Sequence, residues 1–267
     1  MPASAPAPYR VRAHNTAHAS ENKIHDDTIA RRFGFSGGLV PGVDVYAYMV
    51  HAPVRHYGRT WLERGTAACR FVKPVYDREE AVITPELDDG HLALRVESRG
   101  VVCATGHAAL SPQEAAASLD AFQAVEPPAV RRPADEASLA PGTWLGMRPL
   151  LLTREFAAGY LRDVRETDPI YADQELAHPG LILRTGNWAL SHSVVLGPWM
   201  HVGSSVRNLA PARVGDEITV RARVSANYEH KGHQFVELNA LVVANGRTPV
   251  ARIEHTAIYR PRQLATA

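Results

Sequence analysis

One pattern occurs twice in this chain, and that repetition constrains the fold more than any other feature. His178-Pro179-Gly180-Leu181 repeats the order of Val40-Pro41-Gly42-Val43. From Gly42 to Pro74 is 32 residues, and from Gly180 to Pro211 is 31. Each proline is followed by an acidic turn, Asp77-Arg78-Glu79 in the first case and Gly215-Asp216-Glu217 in the second. Upstream, the polar stretch Tyr160 to Tyr171 echoes the turn that precedes the first glycine elbow. Self-similarity at a long, fixed period signals a duplicated structural unit. A chain of 267 residues is long enough for two units of ordinary size.

Each unit reads as a helix followed by antiparallel strands. Val43 to Val54 carries apolar side chains around most of its circumference, as a helix buried on most sides would. Strand-like runs follow at Gly65 to Val72 and Glu79 to Thr84, then at His91 to Ser98 and Val101 to Leu110 across the turn Ser98-Arg99-Gly100. The second unit repeats them at Ile218 to Val224, Gln234 to Ala244 and Val250 to Tyr259, with Asn245-Gly246 as a hairpin turn. The reading divides the chain into a disordered tail at residues 1–8, a first unit at 9–112, a linker at 113–142 and a second unit at 143–262. Tyr9 to Ala13 alternates as a short strand, and Asp26 and Asp27 suit the cap of a small helix at Thr28 to Phe33. The linker is rich in Ala, Pro, Glu and Arg, with a short helix expected at Gln113 to Phe122.

Composition excludes several classes. With 45% hydrophobic and 21% charged residues the chain can bury a sizeable core. The 29 basic residues nearly balance the 28 acidic ones, which argues against a broad nucleic-acid surface. No apolar run approaches the roughly 18 residues of a membrane span, and the N-terminus lacks the pattern of a signal peptide. A soluble, cytoplasmic protein that does not bind membrane is therefore expected. Cys69 and Cys103 lack metal-type spacing and read as buried free thiols. His230 and His233 read as solvated loop histidines, so no metal site is expected. No Walker loop, dinucleotide fingerprint or nucleophile elbow occurs in a supporting context.

The stretch before the first elbow carries the chemistry: Ser20-Glu21-Asn22-Lys23-Ile24-His25-Asp26-Asp27, then Gly37-Gly38-Leu39-Val40-Pro41-Gly42. It resembles the motif of the MaoC-like, (R)-specific enoyl-CoA hydratases. In that family an Asp, an Asn two residues on and a His five residues on precede a His-Gly at the start of the central helix. The chain keeps Asn22, His25, Asp27 and Gly42, and has Ser20 and Pro41 where the family has Asp and His. The resemblance covers nearly the whole chain apart from the tail and linker. It implies an α+β tandem hotdog fold, two antiparallel sheets each wrapped round a central helix. It further implies hydration of a 2-enoyl thioester, or the reverse dehydration of a 3-hydroxyacyl thioester, on coenzyme A or acyl carrier protein, with no metal or redox cofactor.

Such a reaction needs a base to activate water, an acid to protonate C2, and donors to hold the thioester oxygen. By resemblance His25 is the acid/base, Asn22 orients it, and the Gly42 N–H at a helix N-terminus holds the oxygen. Ser20 helps position the water, or Glu21 supplies the missing carboxylate; Glu21 and Asp27 are substrate-side candidates. In the second unit Glu166 and Tyr171 stand five residues apart, with Asp168 between them, and read as a degenerate, substrate-binding copy. His178 reads either as a relic of the His-Gly elbow or as a helix cap. Arg59, Arg70, Lys73 and Arg207 are open as phosphate contacts or surface charge, and Trp144, Trp188 and Trp199 as packing or acyl-chain contacts. Two other readings stay open: a thioesterase on the same fold, and a degenerate binding half that works as a homodimer or with a second hotdog subunit.

Overall fold

The structure is a computed structural model that describes residues 4–112 and 118–264. Strand β1 (Tyr9–Arg12) leads into the motif loop, a short helix α1 (Asp27–Arg32) and the long helix α2 (Gly42–Tyr57). Asp26 caps α1 by accepting from Thr28 and Ile29 backbone N–H groups. A short α3 (Arg59–Arg64) then leads into four strands: β2 (Gly65–Phe71), β3 (Glu80–Asp88), β4 (His91–Ser98) and β5 (Val101–Leu110). The β4–β5 turn places Arg99 and Gly100 at positive φ, as a two-residue hairpin requires.

The segment read as a linker is not a detached tether. Residues 113–117, where the short helix was expected to begin, lie outside the described residues; Leu119–Ala121 forms only a 3₁₀ turn. Phe122 packs with Leu241 and Val243, and β6 (Arg132–Pro133) pairs in parallel with β9 (Val194–Val195). At the other end Ala5, inside the expected tail, packs against the core.

The second unit holds β7 (Trp144–Gly146), β8 (Leu150–Leu151), α4 (Arg154–Asp163), α5 (Ile170–Asp173) and the long helix α6 (Pro179–Ser193). Beyond β9 come β10 (Met200–Asn208), β11 (Glu217–His230), β12 (His233–Ala244) and β13 (Thr248–Arg260). The fold is a double hotdog, and the two half-sheets are continuous with one another. Their order is β1-β3-β4-β5-β2-β10-β13-β12-β11-β7, with β8 also on β11. The order is symmetric about the antiparallel seam of β2 and β10, which pairs Gly203 to Arg207 with Arg70 to Thr66.

Helices α2 and α6 pack on each other and on the sheet that curves round them. Residues 43 to 50 of α2 are all buried, so the helix has almost no polar face. Fully burying a side chain such as Met49 or Val50 stabilises by about 1.5–3 kcal/mol, which makes α2 the centre of the core. Cys69 and Cys103 are free and buried, as the sequence suggested. Among the described residues no helix is long and apolar enough to cross a membrane.

Candidate functional site

The motif loop is built on its own side-chain contacts. Asn15 donates from Nδ2 to the His25 carbonyl at 2.9 Å, and Asp27 accepts from the Gly38 N–H at 2.7 Å. A Cβ at Gly38 would lie 2.2 Å from the His25 oxygen, so only glycine lets the elbow close on the loop. Asp27 thus shapes the elbow and lines neither lobe of the cavity described below.

His25 is half-buried. Its Nδ1 lies 2.7 Å from the Leu39 carbonyl, which can only accept, so Nδ1 carries the proton. Nε2 is then a lone pair, and Asn22 Nδ2 reaches it at 3.3 Å. Burial lowers the His25 pKa from its ordinary value, against the opposing pull of the Leu39 hydrogen bond. The neutral, proton-accepting form is therefore the resting one. Asn22 is fully engaged: Nδ2 also donates to the Trp199 carbonyl at 2.9 Å and Oδ1 accepts from the Trp199 N–H at 3.1 Å. One amide so ties the first unit's motif to the second unit's chain.

Two cavities meet at these residues. One, of about 350 Å³, is lined by Ser20, Glu21, Val43, Arg131, Arg148, Arg184, Trp188 and His192 among others. The second, of about 150 Å³, is largely apolar, with Phe35, Leu39, Val45, Phe71 and Val75 beside Gly42, Lys73 and His201. Asn22, His25, Pro41, Asn187 and Trp199 line both, so His25 stands at the junction of a basic lobe and an apolar lobe.

The helix end at this junction is open. Pro41 is the N-cap of α2 and offers no side-chain hydrogen bond to the first turn. The first N–H groups of a helix have no intrahelical partner and carry the positive end of its dipole. A Cβ at Gly42 would sit 3.0 Å from His201 Nδ1 and 3.1 Å from the Phe71 ring, so the glycine lets these two side chains pack against the first turn of α2. His201 Nε2 contacts the Ser204 hydroxyl at 2.8 Å, and Ser204 contacts His255 Nδ1 at 3.0 Å. Burial, and then the neighbouring His255, hold the His201 pKa well below its ordinary value; burial holds His255 at about 3.

The other sequence candidates fall into place around this site or away from it. Ser20 donates to the Asn22 carbonyl at 3.2 Å, inside its own loop. Glu21 is held by Arg131 through two contacts of 2.8 and 3.1 Å, and this pairing lowers its pKa. The carboxylate thus lines the basic lobe as an ion-pair partner, a poor arrangement for a base.

Glu166 and Tyr171 line neither lobe, a correction to their reading as substrate contacts. Glu166 accepts from His51 at 2.7 Å, His178 at 3.3 Å and the backbone N–H groups of Thr167 and Asp168 at 2.7 Å each. Burial alone would raise its pKa, but the hydrogen bonds from His178 and His51 pull it well below the carboxylate range. Tyr171 is buried, with its hydroxyl pKa driven far up, chiefly by burial and then by Glu166. His178 is a helix cap: its Nδ1 accepts from the Gly180 N–H at 3.0 Å, which leaves Nε2–H for Glu166.

Of the basic candidates, Arg59 pairs with Glu63 and Gln174, Arg207 donates to Ser111, and Lys73 lines the apolar lobe. The cations of the basic lobe are others: Arg131, Arg148 and Arg184, the last paired with buried Asp44. One sequence signal could have found part of this set. Arg184, Asn187, Trp188, Ser191 and His192 recur at helical spacing and put a polar stripe on a helix that otherwise reads as core. Among the described residues no cluster of His, Cys, Asp or Glu could hold a metal ion.

No family model matches the sequence, and no curated protein matches it significantly. Solved structures do match. A protein of Chloroflexus aurantiacus J-10-fl named as a MaoC domain dehydratase has a TM-score of 0.65 at 10% identity, covering 97% of this chain and 94% of its own. A conserved Mycobacterium tuberculosis protein described as a double hotdog gives 0.64 at 14% identity, covering 96% of each chain. A Lactobacillus plantarum protein named for oleoyl thioesterase activity gives 0.54 at 12% identity, covering 97% of this chain and 98% of its own. The chain therefore has the double-hotdog fold, spanned over nearly its whole length by proteins named as dehydratase and as thioesterase.

Proposed function

We propose that this chain adds water across 2-enoyl thioesters, and removes it from 3-hydroxyacyl thioesters, of coenzyme A or acyl carrier protein. The single observation that carries this reading is His25: its Nε2 lone pair stands at the junction of two lobes, beside the uncapped N-terminus of α2. The thioester oxygen lies at the Gly42 N–H and the acyl chain enters the apolar lobe. The anionic end of the carrier reaches toward Arg131 and Arg148 in the basic lobe.

In hydration the water oxygen bonds to C3 while one O–H bond breaks and its proton passes to His25 Nε2. The electron pair of the double bond moves onto the thioester as an enolate, held by the helix N-terminus. The imidazolium then returns the proton to C2, and the enolate collapses to the 3-hydroxyacyl thioester. Asn22 fixes the imidazole and Ser20 stiffens the loop that carries it. Geometry of this kind contributes through general acid/base catalysis, typically about 10²–10⁴-fold.

The test is loss of the enoyl-thioester absorbance with crotonyl-CoA and a longer 2-enoyl-CoA, for wild type and His25→Ala. Turnover by wild type alone supports the assignment, and an unchanged rate in His25→Ala would sink it. A second reading is supported by the neighbour named as a thioesterase. In that case the same water attacks C1 and the carrier thiol is released. A thiol reagent added to a saturated acyl-CoA assay distinguishes it, since hydration frees no thiol.

A further inference from the structure

A water that attacks C3 has to present a lone pair to carbon, which requires both of its hydrogens to be held elsewhere. His25 Nε2 accepts one, displacing the long 3.3 Å contact from Asn22 Nδ2. On the loop around His25, Glu21 is bound to Arg131, and the Ser20 hydroxyl, which donates to the Asn22 carbonyl and keeps its lone pairs, lines the basic lobe alone and not the junction with the apolar lobe. Asn22 Oδ1 is occupied by the Trp199 and Ile24 N–H groups.

The opposite wall is different. Asn187, on α6 of the second unit, lines both lobes together with His25. Its Oδ1 is buried and has no hydrogen-bond partner. A buried amide oxygen left unpaired costs about 1–3 kcal/mol, so a native site that keeps one has a use for it. The residue lines the junction where the two lobes meet and belongs to the polar stripe that interrupts α6, and the broad χ2 torsion of an asparagine lets the amide turn toward them.

We propose that Asn187 is the second acceptor for the attacking water, supplied across the interface by the unit that has lost its own site. The inference rests on the hydratase reading. One O–H of the water points to His25 Nε2 and is transferred there as the O–C3 bond forms. The other points to Asn187 Oδ1 and stays on oxygen, because an amide does not take up the proton. The lone pair that remains faces C3. Asn187 therefore orients the nucleophile and leaves the proton transfer to His25.

Two measurements test this. A crystal structure of the full chain, at a resolution that shows water, should place one molecule within hydrogen-bond distance of both His25 Nε2 and Asn187 Oδ1. No shared water there overturns the inference, whatever the enzyme's activity. In the 2-enoyl-CoA assay, Asn187→Leu should lower kcat about 100-fold with KM changed only a few-fold. Asn187→Asp, which restores an acceptor, should keep most of kcat near neutral pH and lose it in acid as the new carboxyl protonates. Should the Leu variant misfold, the Asp variant alone decides through this pH limb. An unchanged kcat in Asn187→Leu, or a rise in KM alone, overturns the inference while the hydratase reading stands. Absence of turnover in wild type instead removes that reading, and the crystallographic water then decides whether Asn187 holds a water at all.

Discussion

The two central helices begin with the same Pro-Gly elbow and treat it in opposite ways. At α2 the capping position is Pro41, which gives no side-chain hydrogen bond, and the first turn faces an open cavity. At α6 the capping position is His178, which accepts from the Gly180 N–H. A Cβ at Gly180 would lie 2.4 Å from the Tyr160 hydroxyl and 2.6 Å from Ala47 Cβ, so that mouth is filled. Both glycines admit neighbouring side chains, His201 and Phe71 at α2 and Tyr160 and Ala47 at α6, so the contrast lies in the cap, empty at α2 and filled by His178 at α6. A helix N-terminus becomes a site only when nothing of the protein satisfies it first.

The largest expected effect on this contrast comes from His25→Ala, which should lower 2-enoyl-CoA hydration about 1,000-fold and leave thermal stability nearly intact. A comparable loss of rate on altering the second mouth would break the contrast. Glu166→Ala makes that trial: it strands His51 and His178 and should cost about 3 kcal/mol in urea unfolding, with kcat unchanged in the folded fraction.

An effect of similar size comes from acid. His255 is neutral in the folded chain down to about pH 3, whereas an unfolded chain takes up that proton below its ordinary 6.5. Its contribution is therefore complete above pH 6.5 and is lost as pH falls toward 3, at about 1.4 kcal/mol per pH unit. Unfolding midpoints recorded from pH 7 to pH 4 should fall more steeply for wild type than for His255→Asn. The smallest effect is expected for Arg148→Ala. Its exposed guanidinium lines the basic lobe, and the change should raise KM for CoA substrates a few-fold, more at low salt, without moving kcat.

Much of the fold was legible because its signals are local. Ser98-Arg99-Gly100 and Asn245-Gly246 mark hairpin turns by their need for positive φ, and both sit where expected. Strand β10 escaped notice: Met200 to Asn208 mixes Gly, Ser, His and Arg and carries a bulge between His201 and Gly203, so its alternation is broken. The site divides the same way. Ser20, Asn22, His25 and Gly42 lie within one loop and its helix, where the resemblance to the hydratase motif groups them. Arg131, Arg184 and Asn187 join them only through the packing of one unit on the other, across more than a hundred residues of chain. Glu166 shows the converse, since a spacing that matches the motif became a buried knot once His51 and His178 closed on it.

The seam between β2 and β10 joins two copies that no longer have to be copies. In a homodimer one gene writes both subunits, so any residue that plugs one helix mouth plugs the other as well. Tethered in a single chain, each copy accumulates changes separately. One can forfeit its own opening and become the far wall of its neighbour's, a division of labour that duplication permits and symmetry forbids.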